Sequence, residues 1–166
     1  MRNSLYVVIP LALILTVVQS TLLARLPVFD VTLQPALLIA IVWSLLRGPY
    51  EGLVWAFIAG FALDLFSIGP TGGMALALMI AVLPLTTINQ VLPENAYLIP
   101  ILLTALGLIL FLLSYTLILV VTQRGFRVNV LQDLPATVIL NTLLSIPIYW
   151  SLRWLSHMLY PRQIEM

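Results

Sequence analysis

Polar residues break this chain at short intervals, and the stretches between the breaks are almost wholly apolar. The apolar stretches run over residues 5–23, 31–46, 51–66, 74–92, 96–122 and 135–155. Arg25, Pro27 and Asp30 end the first, and Arg47-Gly48-Pro49 ends the second. Gly69, Pro70, Gly72 and Gly73 form a strong breaker after the third. Pro93-Glu94-Asn95 follows the fourth, and the most polar part of the chain, residues 123–134, follows the fifth. Pro35 stands near a helix start, where its missing N–H costs little, whereas Pro84 falls inside the fourth stretch and predicts a kink. Runs of about 20 apolar residues match the thickness of a bilayer's hydrocarbon layer. The pattern predicts an all-α integral membrane protein, a single six-transmembrane-helix bundle that occupies residues 1–166 as one domain.

Composition strengthens this reading. Only 8% of residues are charged and 62% are hydrophobic, whereas an ordinary soluble domain has about 25% charged residues. Lipid is the one solvent in which such a surface is at home. Arg2 ahead of a long apolar run could mark a signal peptide, but the run is long for one and no small-residue cleavage site follows, so residues 5–23 are expected to be a retained helix. With six alternating spans, Tyr6, Trp43, Tyr50, Trp55, Tyr97, Tyr149, Trp150, Trp154 and Tyr160 fall toward one membrane face, as an interfacial belt would. That face carries four arginines against three on the other, which favours cytoplasmic termini.

The chain contains no cysteine, so disulfides and thiolate chemistry are excluded. The net charge of +1, all of its cations arginine, forms no nucleic-acid patch. No metal-spaced His/Asp/Glu cluster, nucleophile elbow or phosphate loop is present, so neither an enzyme nor a metal or cofactor site is expected.

What is distinctive lies on helix faces. Gly52, Ala56, Gly60 and Asp64 are four apart, and Gly73, Ala77 and Ala81 repeat the spacing in the next segment. Residues at i and i+4 share a face, and small residues there let two membrane helices approach closely. The stripe is either an intramolecular packing seam or a groove for a partner's helix. Thr137, Asn141, Ser145 and Tyr149 share a face in the last segment, where Asn141 needs a hydrogen-bond partner. Asp64 is the most informative charge. An ionisable group at its depth is expected to pair with Arg25, Arg124 or Arg127, or to cap nearby backbone N–H groups. Proton relay is the weaker reading, because no second carboxylate or His lies at that depth. Arg47 and Glu51 are expected to form a local ion pair, and His157 to be an interfacial anchor.

The run Gly60-Phe61-Ala62-Leu63-Asp64-Leu65-Phe66, followed by Gly69, Gly72 or Gly73 and Ala75-Leu76, resembles the signature of the MreD family of bacterial rod shape-determining membrane proteins. Gln34-Pro35, Arg47-Gly48, Gly52, and Asn141 with Pro147 also fit, so the resemblance spans nearly the whole chain. Ala62-Leu63 stands where the family often has Gly-Leu, a small-for-small change. The resemblance implies a non-enzymatic component of the cell-elongation complex in the bacterial inner membrane. It implies MreC as direct partner, with MreB and the elongation glycosyltransferase and transpeptidase as weaker ones, besides membrane lipid. It also implies a fold similar to the substrate-binding subunits of energy-coupling-factor vitamin transporters, which makes a small-solute binding subunit the alternative function. Such a subunit is expected to carry an Ala-x-x-x-Ala docking motif on its first helix, where this chain has only Ala12 and Thr16.

Overall fold

The computed structural model describes residue 14 and residues 33–67, 69–92, 98–122 and 129–159. Regular structure among these residues is helical: α1 (Pro35–Arg47), α2 (Pro49–Leu65), α3 (Gly73–Val91), α4 (Leu98–Val121) and α5 (Asn129–Leu159). The segment 5–23, apart from Ile14, lies outside the described residues. Three stretches are long and apolar enough to cross a membrane: Gly73–Val91, Leu98–Val121 and Pro135–Met158. The described residues therefore give five helices and three candidate spans, where hydropathy predicts six spans. α1 has 13 residues and α2 has 17. At 1.5 Å per residue α1 is about 20 Å long, short of a hydrocarbon layer of about 30 Å.

Proline sets two of the helix starts. α1 begins at Pro35 rather than at residue 31, because the residue before a proline is pushed out of the helical region; Gln34 has φ −125° and ψ 63°. α2 begins at Pro49, in the first helical position. Between them stands Gly48 alone, with φ +87°, a left-handed value that a side chain would strain. α5 departs from expectation in the other direction. It starts at Asn129 and carries Pro135 inside it. A proline removes one backbone hydrogen bond, and residues 129–134 contain no other breaker, so the helix continues back through the stretch expected to be loop.

Contacts between helices fix their directions. Gly52 of α2 lies against Ser44 of α1 and Val82 of α3, and Gly60 lies against Ala75. Gly107 of α4 faces Leu85 and Ile41, while Gly73 of α3 lies near Ile118. Each helix is thus antiparallel to the one before it through α4. α1 runs parallel to α5, since Gln34 meets Asn141 and Trp43 clusters with Leu152.

α1 is the centre of the bundle. It touches all four other helices, and every residue from Ala36 to Leu45 is buried. One side packs Leu37, Leu38, Ile41 and Leu45 against Ala56, Ala77, Leu78, Val82, Leu85, Leu108 and Phe111. The other side packs Ile39, Val42 and Trp43 against Trp55 and Leu152. Being apolar all round is what a wholly enclosed helix requires.

Candidate functional site

A helix that ends inside a protein in a membrane leaves backbone groups that water cannot reach, and each costs several kcal/mol if left unpaired. Three side chains from neighbouring helices meet this demand here. The carboxylate of Asp64, near the end of α2, accepts hydrogen bonds from the backbone N–H of Met74 at Oδ1 (3.0 Å) and of Ala75 at Oδ2 (3.2 Å). Those are the first free donors of α3, where the helix dipole favours a negative charge. Asp64 itself is buried, 5% exposed. The backbone turns tightly around it: Ser67 N–H donates to the Asp64 carbonyl, and Gly73 N–H donates to that of Pro70. Gly72, with φ +86°, supplies the left-handed step before α3.

Gly60 and Asp64 grip the same peptide. A Cβ at position 60 would collide with the Ala75 backbone and close on the Met74 carbonyl at 3.0 Å. Only a glycine lets α3 come near enough for a carboxylate one turn further along α2 to reach the Met74 and Ala75 amides. Of the roles open to Asp64 in the sequence, the backbone cap is the geometry observed; Arg25, Arg124 and Arg127 lie outside the described residues. The small-residue stripe is filled from within. Gly52, Ala56 and Gly60 on α2, and Gly73, Ala77 and Ala81 on α3, are all buried.

The ends of α1 are held by amides. Asn141 Oδ1 accepts from the Gln34 N–H (2.9 Å), and its Nδ2 donates to the Thr137 carbonyl (2.9 Å). At the other end Asn89 Nδ2 donates to the Leu45 carbonyl (2.9 Å). Hydropathy alone passes over Asn89, yet its signal was available: it continues the row Gly73, Ala77, Ala81, Leu85 at the same spacing of four. Of the rest of the α5 stripe, Ser145 is buried and bonds its own helix at the Thr142 carbonyl, and Thr137 and Tyr149 are half-buried. Arg47 and Glu51 bridge the α1–α2 joint through two contacts of 3.2 Å. His157 lies in the last turn of α5.

The aromatic residues divide. Trp150 and Trp154 face outward, as interfacial residues should. Trp43 and Trp55, expected in the same belt, are instead buried at 2% and 3% exposure, with ring centroids 5.5 Å apart. Neither indole N–H has a hydrogen-bond partner. Among the described residues no three metal-ligating side chains come together.

The model of one family, rod shape-determining protein MreD, matches residues 1–159. The chain belongs to the MreD family. Membership makes it a membrane protein of rod-shape determination, which works within the rod complex and belongs to no known enzyme family. No curated protein and no solved structure matches, and the likeness to energy-coupling-factor transporter subunits is not supported. The Gly60–Asp64 clamp thus falls on the run of residues through which the sequence resembles the MreD family.

Proposed function

We propose that this chain is a non-enzymatic scaffold of the rod complex that binds the single membrane helix of MreC and thereby helps organise peptidoglycan synthesis. The observation that carries this reading is the MreD family match over residues 1–159. The protein would sit in the bacterial inner membrane with both termini in the cytoplasm, and its links to MreB and to the glycosyltransferase and transpeptidase would be weaker or indirect.

Geometry bears on where MreC would lie. The small residues of α2 and α3 are taken up within the chain, Gly60 against Ala75, Gly52 against Ser44 and Val82, and Gly73 against Pro70 and Ile118, so the candidate surface shifts to the outside of the same pair. There α2 exposes Val54, Phe57, Phe61 and Leu65 along one stripe, with the rings of Phe57 and Phe61 stacked at 6.0 Å. Lipid tails are as apolar as a partner helix, so affinity has to come from shape and close packing. A rigid ridge backed by the Gly60–Ala75 crossing supplies shape. Co-purification of MreC from native membranes tests the reading: the wild type should retain MreC, and Phe57→Ala/Phe61→Ala, still folded, should lose most of it. Recovery of an ATPase pair with a coupling subunit in place of MreC would overturn it.

A further inference from the structure

α1 is buried all round, yet the described helices do not close around it. α2 packs on α3, α3 on α4 and α4 on α5, and all four pack on α1. α2 and α5 leave the ring open, since no Cα of one lies within 8 Å of a Cα of the other. Ile39 and Trp43 cluster with Trp55 of α2 and Leu152 of α5, so their side of α1 faces this opening. Ala36 shares that side by its spacing, and all three residues are buried.

α2 shows the same unexplained cover. Gly60 faces α3 through Ala75, and Ala62 stands about 200° round the helix from it, at about 100° per residue. Ala62 is nevertheless only 2% exposed. Among the described helices none lies over that face. α4 and α5 do not approach α2. α1 runs antiparallel to α2 with Ser44 against Gly52, so it has only just begun at the level of position 62. Buried Trp55 and half-buried Ile58 lie on the same face as Ala62.

Of the stretches outside the described residues, only 5–23 is both apolar and long enough to fill such an opening. As a helix it would span about 28 Å at 1.5 Å per residue. Residues 24–32 lead from its end towards α1, and a link of that length reaches about 30 Å at most. It therefore delivers residue 23 to the end of the opening where α1 begins. Ile14 is the described residue of this stretch; it is helical and 60% exposed. Ala12 and Thr16 stand two positions before and after it, hence on the opposite helix face, and Ser20 and Ala24 continue their row at a spacing of four. With Ile14 outward, the small residues point inward, where they permit close helix contact.

We propose that the opening between α2 and α5 is the docking surface for the chain's own residues 5–23, which lie in it as a helix antiparallel to α1, with Thr16 and Ser20 turned toward Ala36, Ile39 and Ala62. The seat is distinct from the Phe57–Phe61 stripe and does not depend on MreC binding. The chain has no cysteine, so engineered pairs can react only with each other. Ala62→Cys is combined in turn with a single cysteine at each position from 16 to 24, in the full chain and in membranes lacking MreC. Copper phenanthroline and oxygen then drive disulfide formation, which needs the two Cα atoms within about 7 Å. Helicity and a single size-exclusion peak after detergent extraction confirm folding, and Ile58→Cys on the same face serves as a second anchor. Disulfide yield within the monomer should follow a helical period, several-fold higher for Ser20→Cys and its neighbours on the inward face than for Val18→Cys or Thr21→Cys. A peak on the Ile14 face, or equal yield at every position, overturns the proposal. Linkage found only between two chains overturns it too and makes a second copy the occupant. So does a folded protein in which neither anchor forms a disulfide while position 62 reacts freely with a lipid-soluble maleimide, as it would if only lipid lay over it.

Discussion

At the α2–α3 corner a carboxylate holds two backbone N–H groups, whereas at the start of α1 a neutral amide holds one. The task is the same in both places, to satisfy the first donors of a helix where water is scarce. The difference follows position. Asp64 stands at the end of its helix, beside the connection 66–72, which contains Ser67, Gly69, Pro70, Thr71 and Gly72, and it faces the positive end of the α3 dipole. Asn141 is enclosed by helices, 0% exposed, where an ion would be far more costly than an amide. Charge is used at the rim and, at the start of α1, a fully enclosed amide in the interior. The rim site also depends on backbone proximity in a way the amide sites do not, because Gly60 must be bare for Asp64 to reach its partners.

The largest effect should come from breaking that proximity. Gly60→Leu drives a side chain into the Ala75 backbone, which cannot rotate away. It should cost more than about 3 kcal/mol and yield little folded protein, read as loss of the monodisperse peak and of thermal unfolding cooperativity in detergent. Asp64→Leu leaves both N–H groups unpaired and should destabilise by about 3 kcal/mol, while Asp64→Asn keeps one acceptor oxygen and should lose about half as much. Equal stability of wild type, Asp64→Asn and Asp64→Leu in thermal melts would remove the cap from the account.

The amide ties should come next. Asn141→Leu orphans the Gln34 N–H and should lower stability by about 1–2 kcal/mol, near the upper range of polar contacts measured within membranes. Asn89→Leu frees only one carbonyl at the Leu45 end and should cost about 1 kcal/mol or less. If Asn141→Leu proved more damaging than Asp64→Leu, the ranking of rim over interior would be reversed. Smallest of all, Glu51→Gln breaks a partly exposed ion pair and should shift stability by less than about 0.5 kcal/mol, with that shift fading as salt is raised.

Hydropathy makes the helices legible but not their depth. Lipid and a protein core ask for the same apolar side chains, so α1 reads as a span although it is a short helix enclosed on every side. The same ambiguity hides the tryptophans. Their preference for interfaces places all four in one belt, and only packing distinguishes Trp43 and Trp55 from Trp150 and Trp154. Local chemistry is more readable. The spacing of Gly52, Ala56, Gly60 and Asp64 marks the seam, and burying a carboxylate there demands a partner, so the cap stands among the outcomes open to sequence. Two features exceed what spacing can say. One is that Gly60 and Asp64 seize the same peptide; the other is that Asn89 reaches a carbonyl 44 positions away in sequence. Both depend on how far helices slide past each other, which period alone leaves free.

If the outer face of α2 receives MreC, as proposed, the Gly60–Asp64 clamp is the back of that ridge. Site-specific photo-crosslinking in native membranes tests this most directly. A photoreactive residue at position 57 or 61, on the outward ridge, should yield a crosslink to MreC, and one at position 81, inside the α2–α3 seam, should yield none. Crosslinks to MreC from position 81, or none from 57 and 61 in a folded, expressed protein, would contradict it.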